Sequence, residues 1–232
     1  MKSVGTFTAI VSVTPNIVSR FKLVNNNSFM ITNYPIFIEN IDKVYDYKKA
    51  SICFCGAVSL PWAHDSFVKA IENIEGVQYV LAGPLNDYYI NNILDGNTKD
   101  NINYLGVISQ DEVYKIYSSS LAGMAIIHYG PTDNDRKGSL GVTKLFEYMM
   151  FKLPVICTNF EIWEDIVNDS KCGITVSPNN INEITEAVRY LVSNREVAQE
   201  MGKNGRKAVY EKYNWKTQEK ILLDMYRKIL TS

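Results

Sequence analysis

The sequence lacks the cysteine arithmetic of a metal or disulfide protein: of its 4 cysteines, Cys53 and Cys55 stand two apart in one apolar run and Cys157 and Cys172 are isolated. A structural zinc site needs two close ligand pairs, so no metal is expected, and the thiols read as reduced and structural. Three fingerprints are also missing: G-x-G-x-x-G after a strand, G-x-x-x-x-G-K-[ST], and a serine in a G-x-S-x-G elbow. Their absence speaks against the usual NAD, ATP and serine-hydrolase sites. There is no excess of charge, with 24 Lys and Arg against 25 Asp and Glu, and no long basic block; nucleic acid is not an expected partner. The longest apolar run, 121–127, is interrupted by Gly123 and falls far short of the roughly 20 residues of a membrane span. Met1, Lys2 and Ser3 open no secretory pattern. The expected location is cytoplasmic, at most peripheral at the inner face of a membrane.

What is present is ordinary globular material, 46% hydrophobic and 21% charged, enough to bury about 70% of the unfolded surface without disulfides. The length is less ordinary: 232 residues exceed one domain of roughly 150 and fall short of two.

From residue 51 onward, short apolar runs at 51–56, 77–82, 102–107, 122–127, 154–158 and 173–176 alternate with stretches at 65–74, 110–119, 142–152 and 161–168 whose apolar residues recur three and four apart. The first set reads as strands and the second as helices. Strict alternation with short connections implies right-handed crossovers and a parallel sheet covered on both faces, a doubly wound Rossmann-like α/β domain. The end of the chain is helical. Asn180 and Glu183 form a capping pattern before Ile181, Ile184, Val188 and Leu191, a second helix spans about 195–210, and a third carries the apolar stripe Trp215, Ile221, Leu222, Met225, Tyr226 and Ile229. At the front, 7–13 reads as a buried strand, Thr14 and Pro15 as a helix start with a capping hydroxyl, and 30–32 as a further short strand. The mixed, charged stretch 34–49 has no sustained period and marks the domain boundary.

Chemistry concentrates in 129–158, a Gly-rich polar loop that opens a helix and is followed by a strand. A helix start presents free N–H groups to an anion, and Gly141 lets a ligand approach the backbone at Val142 and Thr143. On that helix Val142, Leu145, Phe146, Met149 and Met150 form the buried stripe, which leaves Thr143, Lys144 and Glu147 on the other face. Glu147 sits about 7 Å along the axis, where a carboxylate can accept both hydroxyls of a ribose, as acidic residues do in dinucleotide sites. The competing reading is a surface Lys144–Glu147 ion pair of little energetic weight. His128 follows the strand at 122–127 and falls at the ligand-facing sheet edge, or else in a plain loop. His64 reads as a surface residue at a helix start, and Trp62 as packing or as a wall of the cleft.

The segment KLFEYMMFKLPVICTNFEIWEDIV resembles the signature of the retaining, nucleotide-sugar-dependent glycosyltransferases of the GT-B fold, family 4. ICFCGAVSLPWAHDSFVKAI resembles that family's opening strand, glycine turn and helix. NINYLGVISQDEVYKIYSSS resembles its next strand and helix, and 178–215, ending in Tyr213, Asn214 and Trp215, its C-terminal helices. The resemblance covers about 50–230 and implies the C-terminal, donor-binding half of the GT-B fold, with extra C-terminal helices. It implies Glu147 as the ribose-binding glutamate, the Val142 and Thr143 amides with Gly141 as a diphosphate cradle, Val107 against the nucleobase, and Gly56 as the turn glycine at the cleft. Lys144, Ser139 and His128 complete the expected donor-binding set. Two departures stand out. Ser139 occupies the place of a second glutamate, and Ala57 and Ala63 the places of an Arg and a Lys that clamp the leaving diphosphate, so that Lys144, Arg136 and Lys137 are the nearby cations.

The implied division is 1–48 as the end of an acceptor domain with its linker, 49–212 as the nucleotide-sugar-binding domain, and 213–232 as a helix crossing back onto the first. The implied activity is transfer of a sugar, with retention, from a nucleoside diphosphate sugar to a glycan or lipid-linked acceptor, in cell-surface polysaccharide biosynthesis. No tightly bound cofactor is expected, the nucleotide sugar being a substrate. The alternative is a non-catalytic nucleotide-sugar-binding module, or half of a split enzyme. Either leaves the stripe on 215–229 and the strand at 7–13 without their natural partners, so a separate acceptor-half chain or self-association is expected to cover them.

Overall fold

The computed structural model describes residues 4–44, 50–90, 101–130 and 136–231. The expected boundary at residue 48 and loop residues 131–135 lie outside them. In chain order the elements are β1 (Ile10–Ser12), α1 (Pro15–Lys22), β2 (Ser28–Met30), β3 (Ala50–Cys55), α2 (His64–Ile71), β4 (Val77–Ala82), the single turn α3 (Asp87–Tyr89), β5 (Ile102–Tyr104), α4 (Gln110–Ser119), β6 (Ala122–Ala125), α5 (Lys144–Met150), β7 (Val155–Thr158), α6 (Glu161–Ser170), β8 (Gly173–Val176), α7 (Ile181–Ser193), α8 (Arg195–Glu211) and α9 (Trp215–Leu230).

Strands β3 to β8 form one sheet in the order β5-β4-β3-β6-β7-β8, and every described pairing in it is parallel. The expected α/β class and parallel sheet are therefore observed. Period two divides the core. Ile52 and Phe54 of β3, Tyr79 and Leu81 of β4 and Met124 of β6 point to one face, where Phe67 and Ile71 of α2 and Ile184, Val188 and Leu191 of α7 cover them. Cys53, Cys55, Val80, Ala125 and Cys157 point to the other, under Tyr117 of α4, Leu145 to Met150 of α5, Trp163 of α6 and Val209 of α8. Buried on both faces, such strands read as continuous apolar runs.

Close packing at β6 depends on Gly123. A Cβ there would collide with the Tyr148 ring of α5, whose hydroxyl donates to the Met124 carbonyl (3.2 Å). Tyr148 is fully buried, so α5 buries more of its circumference than the expected stripe, which omitted it. Helix starts are capped where the sequence offers a cap. Asn180 accepts from the Glu183 amide (3.3 Å), while the Glu183 carboxylate reaches Ser177 N (2.7 Å). Ser109 and Glu112, spaced S-x-x-E, close a full reciprocal capping box on α4.

The front of the chain differs from expectation in detail. The strand expected over 7–13 is only β1, paired in parallel with β2, and the second strand falls at Ser28–Met30 rather than 30–32. Thr14 precedes Pro15 as predicted, but its hydroxyl makes no cap bond; it is buried without a partner among the described residues. Helix α9 makes hydrogen bonds to residues 32–35, just after β2. Trp215 N donates to the Pro35 carbonyl (2.9 Å), Thr32 N donates to Gln218 Oε1 (2.9 Å), and Met225 is buried. The apolar stripe of α9 is thus partly covered within the chain, although its Ile221 and Tyr226 stay exposed, as do Leu223 and Leu230 beside it.

Candidate functional site

Numbered within the large sheet, the strand order is 3-2-1-4-5-6, with its reversal between β3 and β6. In open parallel sheets a crevice forms outside the carboxyl ends of the strands at such a reversal. Three strand ends here finish on glycine: Gly56 after β3, Gly83 after β4 and Gly106 after β5. Gly83 (φ +125°) and Gly106 (φ +69°) adopt backbone that favours glycine. They are joined by Gly83 N donating to the Gly106 carbonyl (2.7 Å), as Gly56 N donates to that of Ala82 (2.7 Å). A Cβ on Gly83 would strike the Gly56 carbonyl, so backbone rather than side chains floors this side of the crevice.

The loop after Gly56 bridges the reversal. Ala63 N donates to the Ile126 carbonyl and His128 N to that of Pro61 (2.9 Å each), and Trp62 pairs with Ile127. Trp62 packs edge-on against Phe54 (4.7 Å between centroids) and accepts from the Tyr89 hydroxyl through its carbonyl (2.8 Å), which makes it both packing and wall. Ala63 is fully buried, so a lysine at that position would drive its stem into the core. The missing clamp lysine therefore has a steric counterpart.

Helix α5 delivers two polar side chains to this end of the sheet. The Glu147 carboxylate, half-buried, accepts a hydrogen bond from the Tyr117 hydroxyl of α4 (3.2 Å). Lys144 does not form the surface ion pair with Glu147 that its spacing allows. Its ammonium instead donates to the Cys55 carbonyl at the end of β3 and lies over the Phe54 ring (4.8 Å to the centroid). Burial lowers the Lys144 pKa, with the Glu147 carboxylate pulling it back up. Gly56 gives this ammonium room, since a Cβ there would overlap it.

The remaining expected residues divide. His128 lies at the β6 end of the crevice with Nδ1 3.2 Å from Asn179 Oδ1 and Nε2 3.8 Å from Asp65 Oδ1. Val107, just beyond Gly106, is 76% exposed. Val142, Thr143 and Gly141 lead into α5, with Thr143 as its N-cap residue. Ser139 is tied to the scaffold: its hydroxyl accepts from Gly141 N (3.0 Å) and its carbonyl from Trp163 Nε1 (2.8 Å). Arg136 donates to the Asn159 carbonyl (3.0 Å) and meets Glu164 at 3.5 Å, on α6 and away from β3. Lys137 and Ser139 both line a cleft of about 510 Å³ with Thr14, Pro15 and Asn16 of the front unit and Glu161 and Asp165 of α6.

His64 is a correction. Far from lying on the surface, it is 0% exposed, with Nδ1 2.8 Å from the Tyr79 hydroxyl and an edge contact to Phe54 (4.6 Å). Burial lowers its pKa to about 3, which holds the imidazole neutral as part of the core. Tyr117, which orients Glu147, was the residue sequence reasoning missed; its only signal is its place on the buried face of α4. Among the described residues no three His, Cys, Asp or Glu side chains gather as a metal site, and no helix is long and apolar enough to cross a membrane.

A six-stranded parallel sheet in the order 3-2-1-4-5-6, covered by helices on both faces, is a doubly wound α/β fold. Residues 37–208 match the family of glycosyl transferases group 1, and the chain belongs to that family. It is 24% identical over 181 residues to an uncharacterized glycosyltransferase of Methanocaldococcus jannaschii, a match covering 76% of this chain and 44% of the relative. Its fold is similar to that of a TarM variant of S. aureus in complex with fondaparinux, alpha-GlcNAc-glycerol and UDP (TM-score 0.76, 18% identity, 99% of this chain and 45% of that one). It is similar also to sucrose-phosphate synthase of Thermosynechococcus elongatus (TM-score 0.76, 17% identity, 96% of this chain and 58% of that one). The match to GT-B glycosyltransferase structures agrees with the expected fold. The chain spans about half the length of these relatives.

Proposed function

We propose that this chain is the donor-binding half of a retaining glycosyltransferase of family 4 that moves a sugar from a nucleoside diphosphate sugar to a glycan or lipid-linked acceptor. In such a reaction the anomeric carbon exchanges its bond to a phosphate oxygen for one to an acceptor hydroxyl oxygen. The electron pair of the broken bond stays on the diphosphate, which takes up the hydroxyl proton. The observation that carries the reading is the placement of Glu147: one turn into α5, held by Tyr117, beside the glycine-floored reversal of the sheet. The carboxylate serves the ribose hydroxyls, the Val142 and Thr143 amides with Gly141 and Ser139 the diphosphate, Gly56 the approach of the ligand, Val107 the base, and His128 the sugar or phosphate. Cell-surface polysaccharide synthesis at the inner face of a membrane is the setting that fits a lipid-linked acceptor.

Binding is tested by calorimetry and thermal shift with UDP-, GDP-, ADP- and dTDP-sugars. Glu147→Ala is expected to weaken nucleotide binding at least about 100-fold, roughly 2.7 kcal/mol, and Glu147→Gln, which keeps an acceptor for the Tyr117 hydroxyl, to weaken it with the melting temperature little changed. Unchanged affinity refutes the assignment. A second reading is a module that binds nucleotide sugar without catalysing transfer by itself. Adding an acceptor half in trans separates the two: restored transfer supports a split enzyme, and binding without transfer supports the module.

A further inference from the structure

We propose that Lys43 is a positioning residue of the nucleotide site: by gathering the carbonyls at the end of α4 it fixes Tyr117, and through the Tyr117 hydroxyl the Glu147 carboxylate. This rests on the donor-binding reading of Glu147 above and adds to it a residue of the segment before β3, which touches no ligand itself.

A helix leaves its last carbonyls without partners of its own. Helix α4 runs out through Ser118, Ser119 and the extended cap residue Ser120, with no glycine to turn the chain back over those carbonyls. The segment before β3 supplies the partners instead. Lys43 Nζ donates to the Tyr117 carbonyl (2.7 Å) and to that of Ser120 (2.6 Å), and Val44 N donates to that of Ser118 (3.0 Å). A cation is also the favourable charge at a helix C-terminus. Burial lowers the Lys43 pKa to about 7, with the Cys53 thiol of β3 opposing the shift and the Lys152 ammonium adding to it. An ammonium so short of water leans on the carbonyls it meets.

The same segment is tied to α5. Arg206 of α8 donates to the Ile38 and Glu39 carbonyls (2.8 and 2.7 Å) and, through its other terminal nitrogen, to the Met150 carbonyl at the end of α5 (2.8 Å). Residues 38–44 therefore join the carboxyl ends of the two helices whose side chains meet at the site. That meeting is the hydrogen bond from the Tyr117 hydroxyl to Glu147 (3.2 Å). The Tyr117 ring is fully buried, edge-on to Tyr148 (5.2 Å between centroids) and Phe151 (5.3 Å), so its hydroxyl goes where the backbone of α4 goes. At 3.2 Å the bond already sits at the long end of its range, and a small shift of the last turn of α4 breaks it. Lys43 grips Tyr117 by the carbonyl, and the buried ring carries that position to Glu147.

The test is a double-mutant cycle read by calorimetry with UDP, GDP and ADP on the full chain. The wild type is expected to bind at least one of them. For that nucleotide Lys43→Met and Tyr117→Phe should each weaken binding about threefold or more, the scale of one hydrogen bond, and the double variant should bind no more weakly than Tyr117→Phe alone. Lys43→Arg, which keeps a cation with several donors, should recover most of the affinity lost in Lys43→Met. If Lys43→Met does not fold, Lys43→Gln, with a neutral donor, takes its place in the cycle. A lower melting temperature with unchanged affinity makes Lys43 a cap for the helix alone and overturns the proposal. Losses that add in the double variant overturn it too, because Lys43 then acts by a route other than the Tyr117 hydroxyl. Failure of the wild type to bind any of the three nucleotides is a different result, which refutes the donor-binding reading and this one with it.

Discussion

The large sheet and the front unit are both parallel β-structure, yet they are stabilised in opposite ways. In the six-stranded sheet, β3, β4, β6 and β7 sit between two helical layers, and Ile52, Phe54, Leu81, Met124 and Ile156 are wholly inaccessible to water. In the two-stranded unit, three register pairs join β1 to β2, with Phe7 59% and Leu23 85% exposed. A parallel pair this short has little to bury by itself. Helix α1 packs on both strands, and the far end of the chain adds the Thr32 N–Gln218 Oε1 hydrogen bond and Lys228 over the Phe29 ring. One region is a self-sufficient core and the other leans on two helices, one of them from the far end of the chain.

Three measurements break or sharpen that contrast. The largest effect is expected for Phe67→Ala, which empties a fully buried site packed on Tyr79 (4.6 Å between centroids); urea unfolding should show a loss of about 3–5 kcal/mol. The next is a pH dependence confined to the large core. The His64 pKa lies at about 3 when folded, against an ordinary 6.5, so the folded chain keeps a neutral imidazole while the unfolded chain takes up a proton. This contribution is complete above pH 6.5 and is lost as pH falls, at about 1.4 kcal/mol per pH unit. Between pH 6.5 and 5 the unfolding free energy of the wild type should fall with that slope, and that of His64→Phe should not. Parallel slopes would mean that His64 is solvated. The smallest effect is expected for Leu23→Ala, within about 0.5 kcal/mol of wild type. A larger loss would show that the front unit has a core of its own.

The same contrast governs what the sequence reveals. Strands in the large sheet are legible because burial on both faces makes their apolar runs continuous, and α4, α6 and α7 because their stripes are regular. Glu147 stands out by type and spacing, and Gly56, singled out by the resemblance, lies at the end of β3 beside the reversal. His64 is not, because the partner that makes its burial tolerable, Tyr79, stands on the neighbouring strand, and a lone polar residue at a helix start reads as exposed. The direction of Lys144 is hidden for a related reason: one turn of helix offers it Glu147, and only the fold offers the Cys55 carbonyl and the Phe54 ring. In the front unit the docking of α9 depends on Thr32 meeting Gln218, 186 residues later, which no local period records.

Helix α5 has a consequence for anyone wishing to change what this protein binds. Of its seven residues five are buried, Leu145, Phe146, Tyr148, Met149 and Met150, and each packs on the sheet or on a neighbouring helix. Only Lys144 and Glu147 are not buried, and even these have interior partners in the Cys55 carbonyl and the Tyr117 hydroxyl. A combinatorial library spread along the whole segment would spend nearly all its members on chains that do not fold, whereas one confined to these two positions tests the proposed donor site.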